Sequence, residues 1–313
     1  MFDLRFKNLE DIDFNNIYIS DIAKLIWLNI NRCILIISLI SLLSVFFALS
    51  LPNIYQSSAV LVPKSSNDNL NSKLSSFSTL STFAGVEFRP GEVSKSQEAI
   101  KKVESLDFFS EYFLPNINLQ DLFAVKEWVY SENKIIYDKD IYDVVGKRWV
   151  RKVKHPQSPE PSMLEAYKRY KKILNISEDK KSFVRISIDH QSPHVAKEWL
   201  EIIINNVNES MRLEDKISAQ NSIDYLNKES ELTNIASLKD AISNLLEVQL
   251  QTLMLASSEK EYIFKILDSP FIAEEKSSPS RALICILAFI FSIFMSIITI
   301  LITSFIKTRN LKN

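Results

Sequence analysis

From Ala282 to Ile306 the chain carries no charged side chain. At a rise of about 1.5 Å per residue this run makes roughly 37 Å of helix, enough to cross a bilayer core of about 30 Å with some tilt. A buried core helix seldom stays charge-free for so long, so the run reads as a membrane span. A second apolar run, ILIISLISLLSVFFALSL, covers Ile34 to Leu51, flanked by Trp27 and Tyr55 as interfacial anchors. A cleaved signal peptide competes for this segment. Its n-region would be short and basic, whereas Asp3, Glu10, Asp11, Asp13 and Asp21 precede the run, and Leu51-Pro52-Asn53 is no A-x-A cleavage site. The run is therefore read as a retained helix.

Two spans place both termini on one side. Lys24 and Arg32 precede the first, and Lys307, Arg309 and Lys312 follow the second, which makes those ends cytoplasmic by the positive-inside rule. Lys276 and Arg281 oppose that bias. The expected division is a cytoplasmic segment 1–31, a span 32–52, an exterior domain 53–281, a second span 282–306 and a tail 307–313. The mean hydropathy of +0.01 results from two apolar helices offsetting a polar middle. A net charge of −1 gives no global field directed at nucleic acid. Cys33 and Cys285 lie at opposite depths of the two spans, too far apart for a bridge within one chain. The exterior domain has no cysteine and must build its own core, which its length allows.

Within that domain, YQSSAVLVP (Tyr55 to Pro63) alternates like a strand. Ser65 to Thr82 is rich in Ser and Asn and reads as an exposed loop. Ser94 or Ser96 can cap a helix bearing Ile100, Val103, Leu106 and Phe109. Leu119 to Tyr142 is ambiguous. SPEPS (Ser158 to Ser162) breaks the chain before a helix with Met163, Tyr167, Tyr170 and Leu174 on one face, and SFVRISIDH alternates as a strand. From Val195 to Leu232 there is no Gly or Pro. A helix of that length is about 55 Å long. Thr233-Asn234 interrupts it, and Ser237 can cap a second helix from Leu238 to about Ala256. A small domain cannot bury a helix that long alone, so it projects or meets neighbouring chains. EYIFKILD (Glu261 to Asp268) reads as a last strand. The fold expected is an α+β membrane protein: two transmembrane helices flank an α+β base with long projecting helices.

Catalytic chemistry finds little support. Gly85, Gly91 and Gly146 are the only glycines, so no P-loop or G-x-G-x-x-G exists. His190 and His194 have zinc-helix spacing, but a strand ends at the first and Pro193 intervenes, so both read as exposed turn histidines. No serine stands in a G-x-S-x-G elbow. Scattered Asp and Glu leave paired-carboxylate glycosidase chemistry open on spacing alone, although long helices around a small base give it little room for a cleft. No cofactor and no metal site is expected. KRWVRKVKH (Lys147 to His155) and KRYKK (Lys168 to Lys172) are basic. They suit an anionic partner such as lipid headgroups, a pyrophosphate-linked lipid or an acidic glycan, or else a solvated face, which is the reading preferred. In the second span Ala288, Ser292 and Ser296 recur at intervals of four and allow close helix packing, with Ser38, Ser41, Ser44 and Ala48 of the first span as a matching face.

Three stretches resemble a known family. IDYLNKESELTNIASLKDAISNLLEVQLQTLMLASSEKEYIFKILDSP resembles the helix-to-strand passage of Wzz-type chain-length determinants, the bacterial polysaccharide co-polymerases. DHQSPHVAKEWLEIIINNVNESMR is similar to their entry into the long helix, and ISDIAKLIWLNINRCILIISLISLLSVFFALSLPNIYQSSAVLVP to their first span and strand. The likeness is specific around Thr252 to Pro270 and loose between Asn116 and Pro161. Before the second span only Pro270 and Pro279 stand for the family's several prolines, Ser280-Arg281 replaces Pro-Lys chemistry, and the span lacks the family's glycine, for which Ser292 or Ser296 could substitute.

The resemblance implies a non-enzymatic protein of the bacterial inner membrane with a periplasmic central domain. It implies ring-like homo-oligomers that set the modal length of O-antigen or a related surface polysaccharide, with a separate membrane polymerase and a lipid-linked glycan as further partners. The face expected to meet neighbouring copies is Trp199, Ile203, Asn206, Val207 and Met211, with Leu245, Leu246 and Leu253; the alternative is that this face packs within its own subunit. Two other classes compete. A membrane adaptor of a separate tyrosine autokinase in capsule export would need a larger cytoplasmic surface than the tail offers, and a two-span sensor would need an output module.

Overall fold

The computed structural model describes residues 26–64 and 94–312, without the side chains of 304, 305 and 307–312. The expected loop from Ser65 to Thr82 and most of the N-terminal segment lie outside the described residues. Two compact units form, one from the chain up to Asn53 and from Ser277 onward, the other from Ile54 to Lys276.

The first unit is a helix pair. Helix α1 spans Ile30–Ser50. It stops two residues before Pro52, with Leu51 already extended, because proline disfavours a helical residue before it. Its partner, here α8, spans Arg281–Lys312. Both are long and apolar enough to cross a membrane, over Ile30–Ser50 and Arg281–Thr303. Most of their large side chains point outward, Leu35, Phe46, Phe291 and Phe294 among them. Both cysteines are free. Arg281 has a structural use that its charge alone did not reveal. Its guanidinium donates to the carbonyls of Ala48 (3.1 Å) and Leu51 (3.2 Å) and to Oδ1 of Asn53 (3.1 Å). It thus satisfies carbonyls that the end of α1 leaves without helical partners.

The second unit is built on a four-stranded antiparallel sheet of order β6-β7-β1-β8. The strands are β1 (Tyr55–Pro63), β6 (Leu174–Glu178), β7 (Val184–His190) and β8 (Phe264–Asp268). Strand β1 is central. It aligns Ala59 with Ile186 on one side and Leu61 with Ile266 on the other. Alternation sends Ser57, Ala59 and Leu61 into the interior, as strand periodicity requires.

Between β1 and β6 come α2 (Lys95–Val103), α3 (Leu106–Phe108) running into a wide turn at Phe109–Phe113, and α4 (Leu119–Phe123). Ser94, one of the two predicted caps, accepts from the amide of Gln97 at 3.2 Å. Two small hairpins resolve the ambiguous region and its sequel: β2 (Val125–Val129) with β3 (Lys134–Tyr137), and β4 (Tyr142–Asp143) with β5 (Arg148–Trp149). Helix α5 (Met163–Ile173) opens on a capping box between Ser162 and Glu165, immediately after the SPEPS breaker.

The long helix α6 spans Pro193–Leu232 and α7 spans Ala236–Ser258. Ser237 does not cap α7; the helix begins at Ala236 after Ile235, with no side-chain cap. The last strand is shorter than the expected Glu261 to Asp268 and starts at Phe264.

The core lies where the first half of α6 crosses β1 and β7. Leu200, Ile203, Ile204 and Val207 meet Leu61, Ile186, Ile188 and Phe264, all essentially without exposure. An aromatic layer from Phe109, Phe113 and Tyr170 closes one side, with Phe113 and Tyr170 centroids 4.7 Å apart. The Tyr170 hydroxyl, buried with its ring, donates to the carbonyl of Val103 at 3.0 Å.

Candidate interaction surfaces

The histidines come first, because their spacing raised a metal reading. Among the described residues no group of three His, Cys, Asp or Glu side chains could hold a metal ion. His190 is not the exposed turn residue expected. It is 7 % exposed, its Nε2 donates to the carbonyl of Asp121 (2.9 Å), and its Nδ1 accepts from the amide of Ser192 (2.9 Å). The ring lies edge-on to Trp199, at 4.8 Å between centroids. Burial lowers its pKa below the ordinary histidine value, so it stays neutral and ties α4 to the end of β7. His194 is exposed. The residue pattern hid this difference, because His190 reads as a strand end and only the packing of α4 and Trp199 covers it.

The first half of α6 corrects a second expectation. Trp199, Ile203, Val207 and Met211 are buried in the core of their own unit, with exposures of 3 % or less. Asn206 donates from Nδ2 to the carbonyl of Tyr112 at 2.9 Å. The sheet and the aromatic layer cover this face, so Trp199, Ile203, Val207 and Met211 are not available to a neighbouring copy, while Asn206 is half-buried. Helical periodicity correctly marked a face to be covered, and the cover is the subunit's own sheet.

The second half of α6 differs. Past Met211 only Ala219 and Ile223 are buried, against α7. The two helices form an antiparallel hairpin joined by Thr233–Ile235. Arg212 near the middle of α6 donates to the carbonyl of Ala256 near the end of α7 at 3.0 Å. Leu245, Leu246 and Leu253 are half-buried on α7. Leu245 lines an open groove of about 440 Å³ with Ser218, Ser222, Tyr225 and Gln249. Large apolar side chains remain uncovered along the hairpin: Ile217 (61 %), Tyr225 (63 %) and Leu232 (69 %) on one side of α6, and Leu250 (48 %) and Met254 (69 %) on α7. Exposed apolar side chains that recur along a hairpin are a feature of interaction surfaces.

In the helix pair, Ser292 and Ser296 are buried on the side of α8 that faces α1, with Ala288 half-buried in the same row. Their hydroxyls donate within α8, to the carbonyls of Phe289 (2.7 Å) and Ile293 (2.9 Å). Ile300 continues the row and packs with Cys33. On α1, Ala48 is buried, Ser41 and Ser44 are half-buried, and Ser38 points outward. Ser38 therefore lies off the contact that sequence spacing suggested for it.

The basic segment divides by role. Arg151 is structural: its guanidinium donates to Glu165 (2.6 Å) and to the carbonyls of Pro159 (2.6 Å) and Ser158 (3.0 Å), pinning the SPEPS turn to the start of α5. The Arg151 guanidinium, and next the Ser162 amide, hold the Glu165 carboxyl below the usual carboxylate range. Arg151 and Arg169 also lie over the ring of Phe123, at 5.8 and 5.7 Å. Lys171 pairs with Glu104 at 3.3 Å, and Arg148 with Asp143 at 3.3 Å. Lys147, Lys152, Lys154, Lys168 and Lys172 are exposed.

No family model matches the chain, and no curated protein matches it. Solved structures do. Two of them are polysaccharide co-polymerases. One, described as a full-length bacterial polysaccharide co-polymerase, is covered over 99 % of its length by 94 % of this chain, at 12 % identity and a TM-score of 0.40. Another, a fragment of the polysaccharide co-polymerase WzzB from Salmonella Typhimurium, is covered in full by 72 % of this chain, at 13 % identity and a TM-score of 0.27.

Proposed function

We propose that this protein regulates the chain length of a bacterial surface polysaccharide, O-antigen or a relative of it, as a non-enzymatic homo-oligomer of the inner membrane. Both termini are cytoplasmic in this reading, and the body from Ile54 to Lys276 lies in the periplasm. The observation that carries the assembly is the α6–α7 hairpin. It runs beyond the core that buries the first half of α6, and it leaves Ile217, Tyr225, Leu232, Leu250 and Met254 without cover. Copies of the same hairpin, set side by side, supply that cover and hold polymerases or lipid-linked chains at a fixed spacing. The link to glycan length rests on the resemblance of three segments to Wzz-type determinants.

The decisive experiment replaces Tyr225, Leu250 and Met254 by Glu and reads two outputs: particle size in detergent, and the glycan ladder of a deletion strain carrying the variant. A smaller particle with a displaced or lost modal band is expected. An unchanged particle with an unchanged band would reject the hairpin as the interface. Deletion of the protein should leave polymer of unregulated length, whereas loss of all polymer would point to a polymerase or an export component.

A further inference from the structure

We infer that the β4–β5 hairpin is a lipid-surface finger: an apolar tip that enters the headgroup layer of an anionic phospholipid bilayer, seated by the lysines beside it. The inference does not rest on a role in chain-length control.

The tip is built to project. The Asp143 carboxylate accepts from the amides of Val145 (3.2 Å) and Gly146 (3.1 Å) and pairs with Arg148. A Cβ at Gly146 would lie 2.6 Å from that carboxylate and would push it aside, and Lys147 takes a left-handed backbone at φ 47°. Behind the turn, Tyr142 stands opposite Trp149 with ring centroids 5.1 Å apart, and Trp149 meets Phe123 at 6.3 Å. The base of the hairpin is thereby fixed to the body. What the turn presents is apolar at its apex: Val145 is 96 % exposed and Val144 52 %. A β-branched apolar residue held at the apex of a rigid turn contributes nothing to this unit's core.

Charge chooses the occupant. From Val144 to Pro159 there is no acidic residue, and Lys147, Arg148, Arg151, Lys152 and Lys154 fall in that stretch. Arg148 and Arg151 are paired, whereas among the described residues no acid pairs with Lys147, Lys152 or Lys154. An apolar apex with Lys147 in its turn, and with exposed Lys152 and Lys154 on the chain that follows β5, matches a bilayer surface, where anionic headgroups take the lysines and the acyl boundary takes the valines. An acidic glycan would occupy the lysines and leave Val145 in water. A protein partner would call for a wider apolar face than one turn provides.

The test uses the full chain in nanodiscs. In a background with Cys33→Ala and Cys285→Ala, Val145→Cys carries an environment-sensitive dye. In phosphatidylcholine–phosphatidylglycerol discs the emission should shift to the blue and be quenched by spin-labelled lipid. Both effects should be lost with Lys147→Gln, Lys152→Gln and Lys154→Gln together, and weakened in pure phosphatidylcholine. Hydrogen exchange of residues 142–150 in the unaltered chain should slow in the anionic discs relative to the zwitterionic ones. Water-like emission in both lipids, with equal exchange, would overturn the inference. So would a blue shift that spin-labelled lipid does not quench, which means cover by protein, or a change seen only on adding an acidic polysaccharide.

Discussion

The side chain of Asn208 pairs with the backbone of Phe264 as a neighbouring strand would. Its Nδ2 donates to the Phe264 carbonyl at 3.1 Å, and its Oδ1 accepts from the Phe264 amide at 2.9 Å and from that of Ile263 at 2.9 Å. Asn208 is 4 % exposed, so water cannot replace it. One carboxamide thus joins α6 to β8, an edge strand of the sheet. Asn208→Leu would leave buried amides and a carbonyl unpartnered and should destabilise the body by about 2–4 kcal/mol. Thermal unfolding followed by intrinsic fluorescence checks this. Asn208→Asp should also destabilise, because a carboxylate cannot donate to the Phe264 carbonyl.

His190 should make stability depend on pH. Its pKa is lowered in the folded state, mainly by burial, so below about pH 6.5 the unfolded chain binds a proton that the folded one refuses. The unfolded state then holds more protons, and stability falls as pH falls. The loss is up to about 1.4 kcal/mol per pH unit until the folded-state value is reached. Denaturation midpoints between pH 8 and pH 5 should drop more steeply for the native protein than for His190→Gln.

Tyr170 combines a packing role with a polar one. Tyr170→Phe removes only the hydroxyl that donates to Val103, and should cost about 1 kcal/mol. Tyr170→Ala empties the aromatic layer between Phe109 and Phe113 and should cost about 3–5 kcal/mol. Chemical denaturation of both variants separates the two roles.

The helix pair makes a prediction within the membrane-spanning segments. Cys33 and Ile300 share one buried cluster, so Ile300→Cys should allow a short thiol cross-linker to join the two helices within one chain. Adding Ser292→Phe puts a bulky ring where the helices meet and should lower the cross-link yield sharply. Electrophoresis after proteolysis between the helices reads the yield.

Much of this architecture was legible in the residues, for local reasons. Strand β1 has the bounds that alternation gives it, Ser94 caps the helix that follows it, the SPEPS breaker ends where α5 begins, and the absence of Gly and Pro after Val195 lets α6 run unbroken. The failures concern what covers a face, which periodicity does not encode. Trp199, Ile203, Val207 and Met211 mark an apolar stripe equally suited to a sheet or to another copy, and the sheet takes it. The uncovered residues Ile217, Tyr225 and Leu232 are spaced widely among polar ones, so they form no regular stripe. His190 was misjudged for a related reason: it looks exposed until α4 and Trp199 are brought against it. The bond from Arg281 to the end of α1 is equally invisible to local pattern.

The position of β1 at the centre of the sheet bears on how the chain is made. Leu61 emerges early and Ile266 late, yet the two stand in register as neighbours. Through most of synthesis, β1 must therefore wait with an open edge, a state that invites pairing with the wrong chain. The body can close only once nearly all of it has been delivered. Maturation is thus timed by the arrival of its last strand, and any stall before Phe264 leaves a sticky, unfinished half-sheet for quality control to meet.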